Sequence, residues 1–126
     1  MKVYLCNYHH WDGCEYESIS DDILIKIVDS EEKAKQCIMD AAKEFFDIRI
    51  EKTKKRIQEI EKLEAKIGKL EPLYVVDEYD IHEELKDLEE AKGKLYLEHG
   101  RNGSQIRYEP DEYDHYSWDY EAHEVE

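Results

Sequence analysis

The chain has 126 residues, 40% of them charged, and a formal net charge of −15 at pH 7. This length suits one domain, and no run approaches the 18 or so apolar residues that a membrane-spanning helix needs. The negative charge also makes direct binding of the whole chain to nucleic acid unfavourable. We therefore expect a protein that binds neither a membrane nor nucleic acid directly.

The N-terminal residues Met1–Cys6 lack the apolar core of a signal peptide. The three cysteines are an odd number, which suits a reducing compartment better than a disulfide framework. These two observations favour a cytoplasmic protein.

The first third of the chain predicts two strands joined by a turn. Lys2–His9 reads as a strand, and His10–Gly13 as a turn because Asp-Gly favours positive φ. Asp22–Val28 reads as a second strand, with its isoleucines at alternate positions. We expect the isoleucine face to be buried against the helix that follows, in contact with Ala34, Ile38, Ala41 and Phe45.

A helix of unusual length is predicted over Ser30–Leu70. Ser30 is a good N-cap, and no Gly or Pro interrupts the run before Gly68. In the first half, one helical face carries apolar residues: Ala34, Cys37, Ile38, Ala41, Phe45 and Ile48. The second half has a seam close to the coiled-coil period, formed by Phe46, Ile50, Thr53, Ile57, Ile60, Leu63, Ile67 and Leu70.

A second helix is predicted to begin at Asp80, which forms a capping box with Glu83, and to end at Gly100. Leu73–Val76 reads as a short strand or an extended link. An antiparallel hairpin over residues 49–99 follows, and we expect it to project from the sheet. Two helices leave apolar rims exposed, so we predict a homodimer. Its interface residues are Ile57, Ile60, Leu63, Leu85, Leu88 and Leu95.

The last strand is predicted from the alternation in His115–Val125. Aromatic residues occupy one face, and acidic and polar residues occupy the other. A shorter strand is predicted over Gln105–Tyr108, and we expect the last strand to pair with the first two. The chain is thus predicted to be α+β: a small, mostly antiparallel sheet packed on a long helix, with a projecting helical hairpin. It forms a single domain, 1–126, with residues 1–48 and 100–126 as the core and 49–99 as the hairpin.

The acidic C-terminal segment is the main candidate binding surface. Residues 109–126 contain eight acidic residues and no Lys or Arg. Carboxylates on an ordered strand can stand in for phosphates in a partner's basic groove, and interleaved aromatic rings supply anchors. The predicted partner-binding residues are Asp111, Glu112, Tyr113, Asp114, Tyr116, Asp119 and Glu121.

Other chemistry competes with this interpretation. Cys6, His9, His10 and Cys14, with His115 and His123, are candidate zinc ligands, but their spacing matches no usual zinc motif. Carboxylates able to pair across a cleft are Asp12, Glu15, Glu17, Asp111, Glu112 and Asp114, although a chain this acidic brings carboxylates together by chance. Nucleic-acid binding has one candidate site, a basic cluster on the long helix formed by Lys52, Lys54, Lys55 and Arg56, although the acidic domain as a whole would repel phosphates. We expect no metal, no cofactor and no catalytic residue, while metal binding by Cys6, His10 and Cys14 stays open.

A short strand pair, the helix opening Ser30-Glu31-Glu32-Lys33-Ala34-Lys35 and an acidic, aromatic last strand resemble small proteins of bacteriophages and prophages. The resemblance covers about a third of the chain and carries over no functional residue. Some such proteins are anti-defence inhibitors, including anti-CRISPR proteins, and several of those act as acidic DNA mimics.

The sequence therefore predicts a non-enzymatic binding protein. The favoured function is an acidic inhibitor, acting as a nucleic-acid mimic, of a host nucleic-acid-binding or defence protein with a basic surface. One alternative is a structural or assembly protein that oligomerises through its hairpin. Another is a small hydrolase that depends on a metal or on carboxylates.

Overall fold

The structure, a computed structural model, describes the backbone of residues 1–13, 18–67 and 72–125, and the side chains of these residues except 18, 19, 64, 67 and 72–80. Five strands and two helices follow one another within these ranges. In chain order they are β1 (Lys2–Gly13), β2 (Ser18–Val28), α1 (Glu31–Ile67), α2 (Pro72–Gly93), β3 (Glu98–His99), β4 (Ser104–Tyr108) and β5 (Asp114–Glu124).

The fold is α+β, as the sequence predicted: a five-stranded antiparallel sheet with a long helix packed against it, and a second helix. The strand order is β2-β1-β5-β4-β3. β5 pairs with β1, which confirms that the last strand joins the first. The expected pairing of β5 with β2 is wrong, because β4 occupies the other edge of β5.

β1 is longer than predicted, and the expected turn at His10–Gly13 is wrong. The strand continues to Gly13 because it has a partner on each side: Asp12 lies opposite Ile19 of β2 and Asp114 of β5. Gly13 serves a different purpose from the one that its Asp-Gly context indicated. A Cβ atom at this position would overlap the ring of Trp11, so glycine leaves room for that ring.

β2 forms an edge of the sheet, and the predicted burial of its isoleucines is wrong. Ile23, Ile25 and Ile27 have 54%, 38% and 55% of their surfaces exposed. The register with β1 shifts between Cys6 and Asn7, which leaves one extra residue in β2. Such a bulge breaks the alternation of faces, so the three isoleucines do not form the single buried face that simple alternation predicts.

α1 begins as predicted. The backbone N–H of Lys33 donates to the hydroxyl of Ser30 over 3.2 Å, so Ser30 is the N-cap. One face of the helix is buried along most of its length, and Ile48, predicted for this face, is instead half exposed. The buried residues on it are Ala34, Ile38, Ala42, Phe46, Ile50, Thr53 and Ile57.

The chain divides into two compact units, and α1 contributes to both. The first unit contains Met1–Lys43 and Leu95–Glu126, and the second contains Glu44–Lys94. In the first unit, the start of α1 packs on one face of the sheet. The Tyr120 hydroxyl of β5 donates to the Glu31 carboxylate over 2.7 Å there.

The second unit is an antiparallel helical hairpin. Lys92, near the end of α2, pairs with Asp47 of α1. α2 begins at Pro72, well before the predicted cap at Asp80, so the predicted strand or link at Leu73–Val76 is wrong. Proline is well suited to the first turn of a helix because its missing N–H would have no partner there.

The end of α2 also differs from the prediction. The helix ends at Gly93, so Gly100 is not its C-terminal cap and Leu95 does not belong to it. Neither helix contains, within its described residues, an apolar stretch long enough to cross a membrane.

Candidate functional site

The predicted division of β5 into an aromatic and an acidic face is present. Tyr116, Trp118 and Tyr120 are all buried. Each ring lies against a ring of β1: Tyr120 against Tyr4, Trp118 against Tyr8, and Tyr116 against His10. Tyr116, predicted as a binding anchor, therefore lies in the interior, and these contacts order the strand that carries the acidic residues.

Acidic residues from four segments converge at one end of the sheet. Asp12 of β1 lies directly opposite Asp114 of β5, and Asp21 of β2 lies opposite His10. Asp22 and the turn before β5 complete the group. We call this set the acidic end: Asp12, Asp21, Asp22, Asp111, Glu112 and Asp114. β5 contains no Lys or Arg. The lysines of β1 and β2, Lys2 and Lys26, lie farther along these strands, away from the acidic end.

The turn before β5 is held by Asp111. Its carboxylate accepts from the backbone N–H groups of Asp114 at 2.7 Å and Tyr113 at 2.8 Å. These two donors hold the pKa of Asp111 below its usual range. The backbone N–H of Gly13 donates to the Tyr113 carbonyl over 2.6 Å, which joins the turn to β1. The turn leaves Glu112 and Tyr113 exposed to solvent.

The Asp114 carboxylate is partly covered by a histidine. The Nε2 atom of His10 lies 2.9 Å from the Asp114 carboxylate. The His10 ring stacks on Tyr116, with ring centroids 4.4 Å apart, so its position is fixed by the aromatic face. Asp114 is therefore an ordered carboxylate, and only part of its surface is open to a partner.

Asp119 belongs to a clamp around His9 that crosses three strands. His9 on β1 lies 2.5 Å from Asp22 of β2 through Nδ1 and 2.9 Å from Asp119 of β5 through Nε2. Burial opposes a charge on His9, but the hydrogen bonds that the ring donates to Asp22 and then to Asp119 outweigh this effect and raise the pKa of the ring. Asp119 is thus engaged within the sheet. Glu121, farther along β5, lies 3.3 Å from His123.

Sequence reasoning missed Trp11, which it assigned to a turn. Trp11 follows the alternation of β1 and lies edge-on to His115, with ring centroids 4.9 Å apart. Its side chain is exposed next to the acidic end, as is Tyr113. The signal that could have located it is the continued alternation of large side chains after His9.

The predicted oligomer interface is divided between buried and exposed positions. Ile57 and Leu88 are buried within one chain, Ile60 and Leu85 are half-buried, and Leu63 is 52% exposed. Leu95 is half-buried in the first unit. On α1, the four residues of the basic cluster, Lys52, Lys54, Lys55 and Arg56, are exposed.

Little in the described residues points to catalysis. Over those residues, no group of three or more His, Cys, Asp or Glu side chains is arranged to hold a metal ion. Both ring nitrogens of His9 face carboxylates, so this histidine has no free nitrogen to act as a base. Three predicted residues lie outside the described part of the chain: the candidate zinc ligand Cys14 and the candidate carboxylates Glu15 and Glu17.

Comparison with protein-family models, with curated proteins and with solved structures found no match for this chain. Its function is therefore inferred from its own residues.

Proposed function

We propose that this chain is a non-enzymatic binding protein whose acidic end docks on a basic surface of another protein. In this proposal it acts in the cytoplasm as an inhibitor and occupies the groove in which the partner would hold nucleic acid. The partner is a host nucleic-acid-binding or defence protein, in keeping with the resemblance to small phage proteins. The protein itself contacts no nucleic acid.

One observation carries this proposal: acidic side chains from β1, β2, β5 and the turn before β5 converge at one end of an ordered sheet. Their order matters, because a disordered acidic tail would lose more entropy on docking. Exposed Trp11 and Tyr113 lie beside these carboxylates. Aromatic side chains at the centre of an interface supply much of its binding energy, while charges supply steering and specificity.

The sharpest test neutralises the members of the acidic end that are not paired with a histidine. The variant Asp12→Asn, Asp21→Asn, Asp111→Asn, Glu112→Gln removes four charges and leaves Asp22 and Asp114 bonded to His9 and His10. The asparagine that replaces Asp111 is expected to accept the same backbone hydrogen bonds through its side-chain oxygen. The control removes four exposed charges from α2: Glu83→Gln, Glu84→Gln, Asp87→Asn, Glu89→Gln.

Each protein is immobilised and used to capture proteins from a bacterial host lysate. Wild type and the α2 control are expected to capture the same basic protein, and the acidic-end variant to lose it. Duplex DNA should displace that protein at a concentration that changes the ionic strength very little. Equal capture by all three proteins would contradict the proposed surface, and capture that DNA does not displace would contradict mimicry.

A second candidate function is assembly through the helical hairpin, with a homodimer as its simplest form. The observation that favours it is the exposure of Leu63 and Ile48, two large apolar residues on α1. Exposed apolar surface on a helix is a common feature of protein interfaces. This candidate predicts self-association in the absence of any other protein.

A further inference from the structure

β2 is a long strand at the edge of the sheet, and its outer side is open. Within the described part of the chain, no strand pairs with that side, whereas the opposite edge is formed by the two-residue strand β3. An unpaired edge presents a row of backbone N–H and C=O groups to which another strand can bond. Of the two edges, β2 is therefore the one long enough to accept a sixth strand.

The edge formed by β2 also exposes large apolar side chains. Ile23, Leu24, Ile25 and Ile27 follow one another closely on this strand, and all four are exposed. Edge strands of natural proteins are normally protected by charged side chains, by prolines or by an element that covers them. Neighbouring apolar side chains that stay exposed on a surface mark a site of interaction. We therefore expect this edge to be covered when the protein acts.

A bulge limits regular pairing to the first part of β2. Lys26 lies opposite Cys6 and Leu24 lies opposite Asn7, so Ile25 is the extra residue between them. A bulge bends the strand and interrupts its ladder of hydrogen bonds. An added strand can therefore pair regularly with residues 18–24, a length typical of strands in globular proteins.

Charge in this segment selects the kind of strand that can be added. Asp21 and Asp22 are exposed members of the acidic end, and Asp22 keeps 69% of its side chain exposed although it is bonded to His9. Lys26, the basic residue of β2, lies beyond the bulge. A second copy of this chain, paired antiparallel along residues 18–24, would bring its own two aspartates close to these, and like charges repel. A strand with basic residues at these positions meets opposite charge instead.

We propose that β2 is a docking edge for an extended segment of the partner protein, which adds to the sheet as a sixth, antiparallel strand. Antiparallel pairing matches the rest of the sheet and is the more stable arrangement. From its N-terminus, the segment has two adjacent apolar residues, opposite Leu24 and Ile23, and then two adjacent basic residues, opposite Asp22 and Asp21. Since neighbouring residues of a strand point to opposite faces, each face of the added strand makes one apolar and one charged contact.

This inference rests on the proposed function for its partner, because the added strand belongs to the basic surface on which the acidic end docks. It adds a requirement that carboxylates alone do not impose, namely a partner segment with accessible backbone N–H and C=O groups. In strand addition, the backbone hydrogen bonds supply affinity and the side-chain contacts supply specificity. The partner is thus recognised by the shape of its backbone as well as by its charge.

The first test uses the full chain and a fluorescent, capped peptide, Thr-Thr-Val-Ile-Lys-Arg-Thr-Thr, as the added strand. The wild type should bind this peptide, and amide hydrogen exchange should slow in residues 18–24. Two further peptides have the same sequence and are N-methylated at either the odd or the even positions. Only alternate N–H groups of an added strand face β2, so one methylated peptide should bind roughly tenfold or more weakly and the other nearly as well as the parent.

The second test compares two substitutions of exposed leucines. Leu24→Lys replaces an apolar contact with a charge that repels the basic peptide, so it should weaken binding roughly tenfold or more. Leu97 is 37% exposed and directly precedes β3, at the opposite edge of the sheet. Leu97→Lys adds the same charge there and should leave peptide binding nearly unchanged.

Four results would overturn the proposal. Three of them are no binding of the parent peptide at millimolar concentration, equal binding of the two methylated peptides, and equal binding by the two lysine variants. The fourth is a wild-type dimer that Leu24→Lys converts to monomers, because the occupant of the edge would then be a second copy.

These measurements involve no host protein, so they are separate from the test of the proposed function. Failure of the peptide tests would leave capture of a basic protein by the acidic end standing. Failure of the capture experiment, with peptide binding intact, would contradict the proposed function and leave β2 as a docking edge for a segment of this chemistry.

Discussion

His9 is a titratable residue that is bonded to carboxylates on both neighbouring strands. Its ring joins Asp22 and Asp119, so one side chain links β2, β1 and β5 across the face of the sheet. Both bonds are strongest when the ring carries two protons and a positive charge. A charged His9 ring also offsets the negative charge of Asp22, a member of the acidic end, and of Asp119, so that these two carboxylates repel each other less.

The clamp predicts a defined pH dependence of stability. Because the pKa of His9 is raised in the folded state, its stabilisation is complete below the unfolded value of about 6.5 and is lost as the pH rises through the folded value. Replacing His9 with Gln should cost from a few tenths to about 1 kcal/mol below pH 6.5, since the group is partly exposed. The difference in unfolding free energy between wild type and variant, measured by urea denaturation, should shrink towards pH 9. A difference that grows with pH would contradict the clamp.

At the scale of elements, sequence reasoning succeeded where one local signal agreed with the packing. The alternation of β5 and the cap at Ser30 are such cases, because the side chains involved act within one element. It failed at β1 and β2, where pairing on both sides extends β1 and a bulge disrupts β2. The start of α2 was missed because Leu73–Val76 has strand propensity, which the helix overrides. Four carboxylates of the acidic end, Asp12, Asp111, Glu112 and Asp114, were among the residues predicted from the sequence. Asp21 and Asp22 were not, because only the pairing of β2 with β1 brings them there, and the histidine partners depend on the same cross-strand register.

The corrected position of β2 can be tested by one substitution made at two places. Ile23 on the edge strand is 54% exposed, whereas Ile38 on α1 is completely buried. Ile23→Thr should cost less than about 1 kcal/mol, because threonine keeps the β-branched shape that strands favour. Ile38→Thr should cost about 2–5 kcal/mol, since it leaves a cavity and buries a hydroxyl. Chemical denaturation measures both values. Equal losses would mean that β2 is covered.

The helical hairpin allows a separate test of self-association. If exposed Leu63 contributes to a homodimer, sedimentation of the wild type should give about twice the chain mass of 15.1 kDa. Leu63→Glu should shift the protein to the monomer without loss of helical signal, because the side chain is half exposed within one chain. Gln58→Glu adds the same charge at another exposed position of α1 and should stay dimeric. A monomeric wild type at high concentration would rule out this interface. Leu88 is a poor probe because it is buried within the chain.

Across the whole molecule, negative charge is unevenly distributed, and this distribution affects both the stability of the fold and the proposed binding surface. Residues 71–126 contain 5 basic and 18 acidic residues, whereas residues 51–70 contain 7 basic and 4 acidic residues. Three of the six members of the acidic end, Asp111, Glu112 and Asp114, therefore belong to the part of the chain with the largest excess of negative charge. Acidic residues of α2 belong to the same compact unit as the basic segment of α1. Like charges concentrated on a folded surface destabilise it, and they do so most where no opposite charge lies nearby.

This distribution predicts how salt affects thermal stability. Raising the ionic strength from about 0.01 to 0.15 M shortens the screening length from about 30 to about 8 Å, so the unfolding temperature of the wild type should rise. The acidic-end variant, which lacks four of the repelling charges, should unfold at a higher temperature than wild type at low salt. Its unfolding temperature should also respond less to added salt. The α2 control should change less, since its acidic residues belong to the unit that holds the basic segment. Calorimetry at both ionic strengths measures these shifts.

A wild type destabilised by salt would mean that its ion pairs, such as Asp22–His9–Asp119, outweigh the repulsion. A carboxylate surface kept at a cost in stability is what selection for binding a basic partner would maintain.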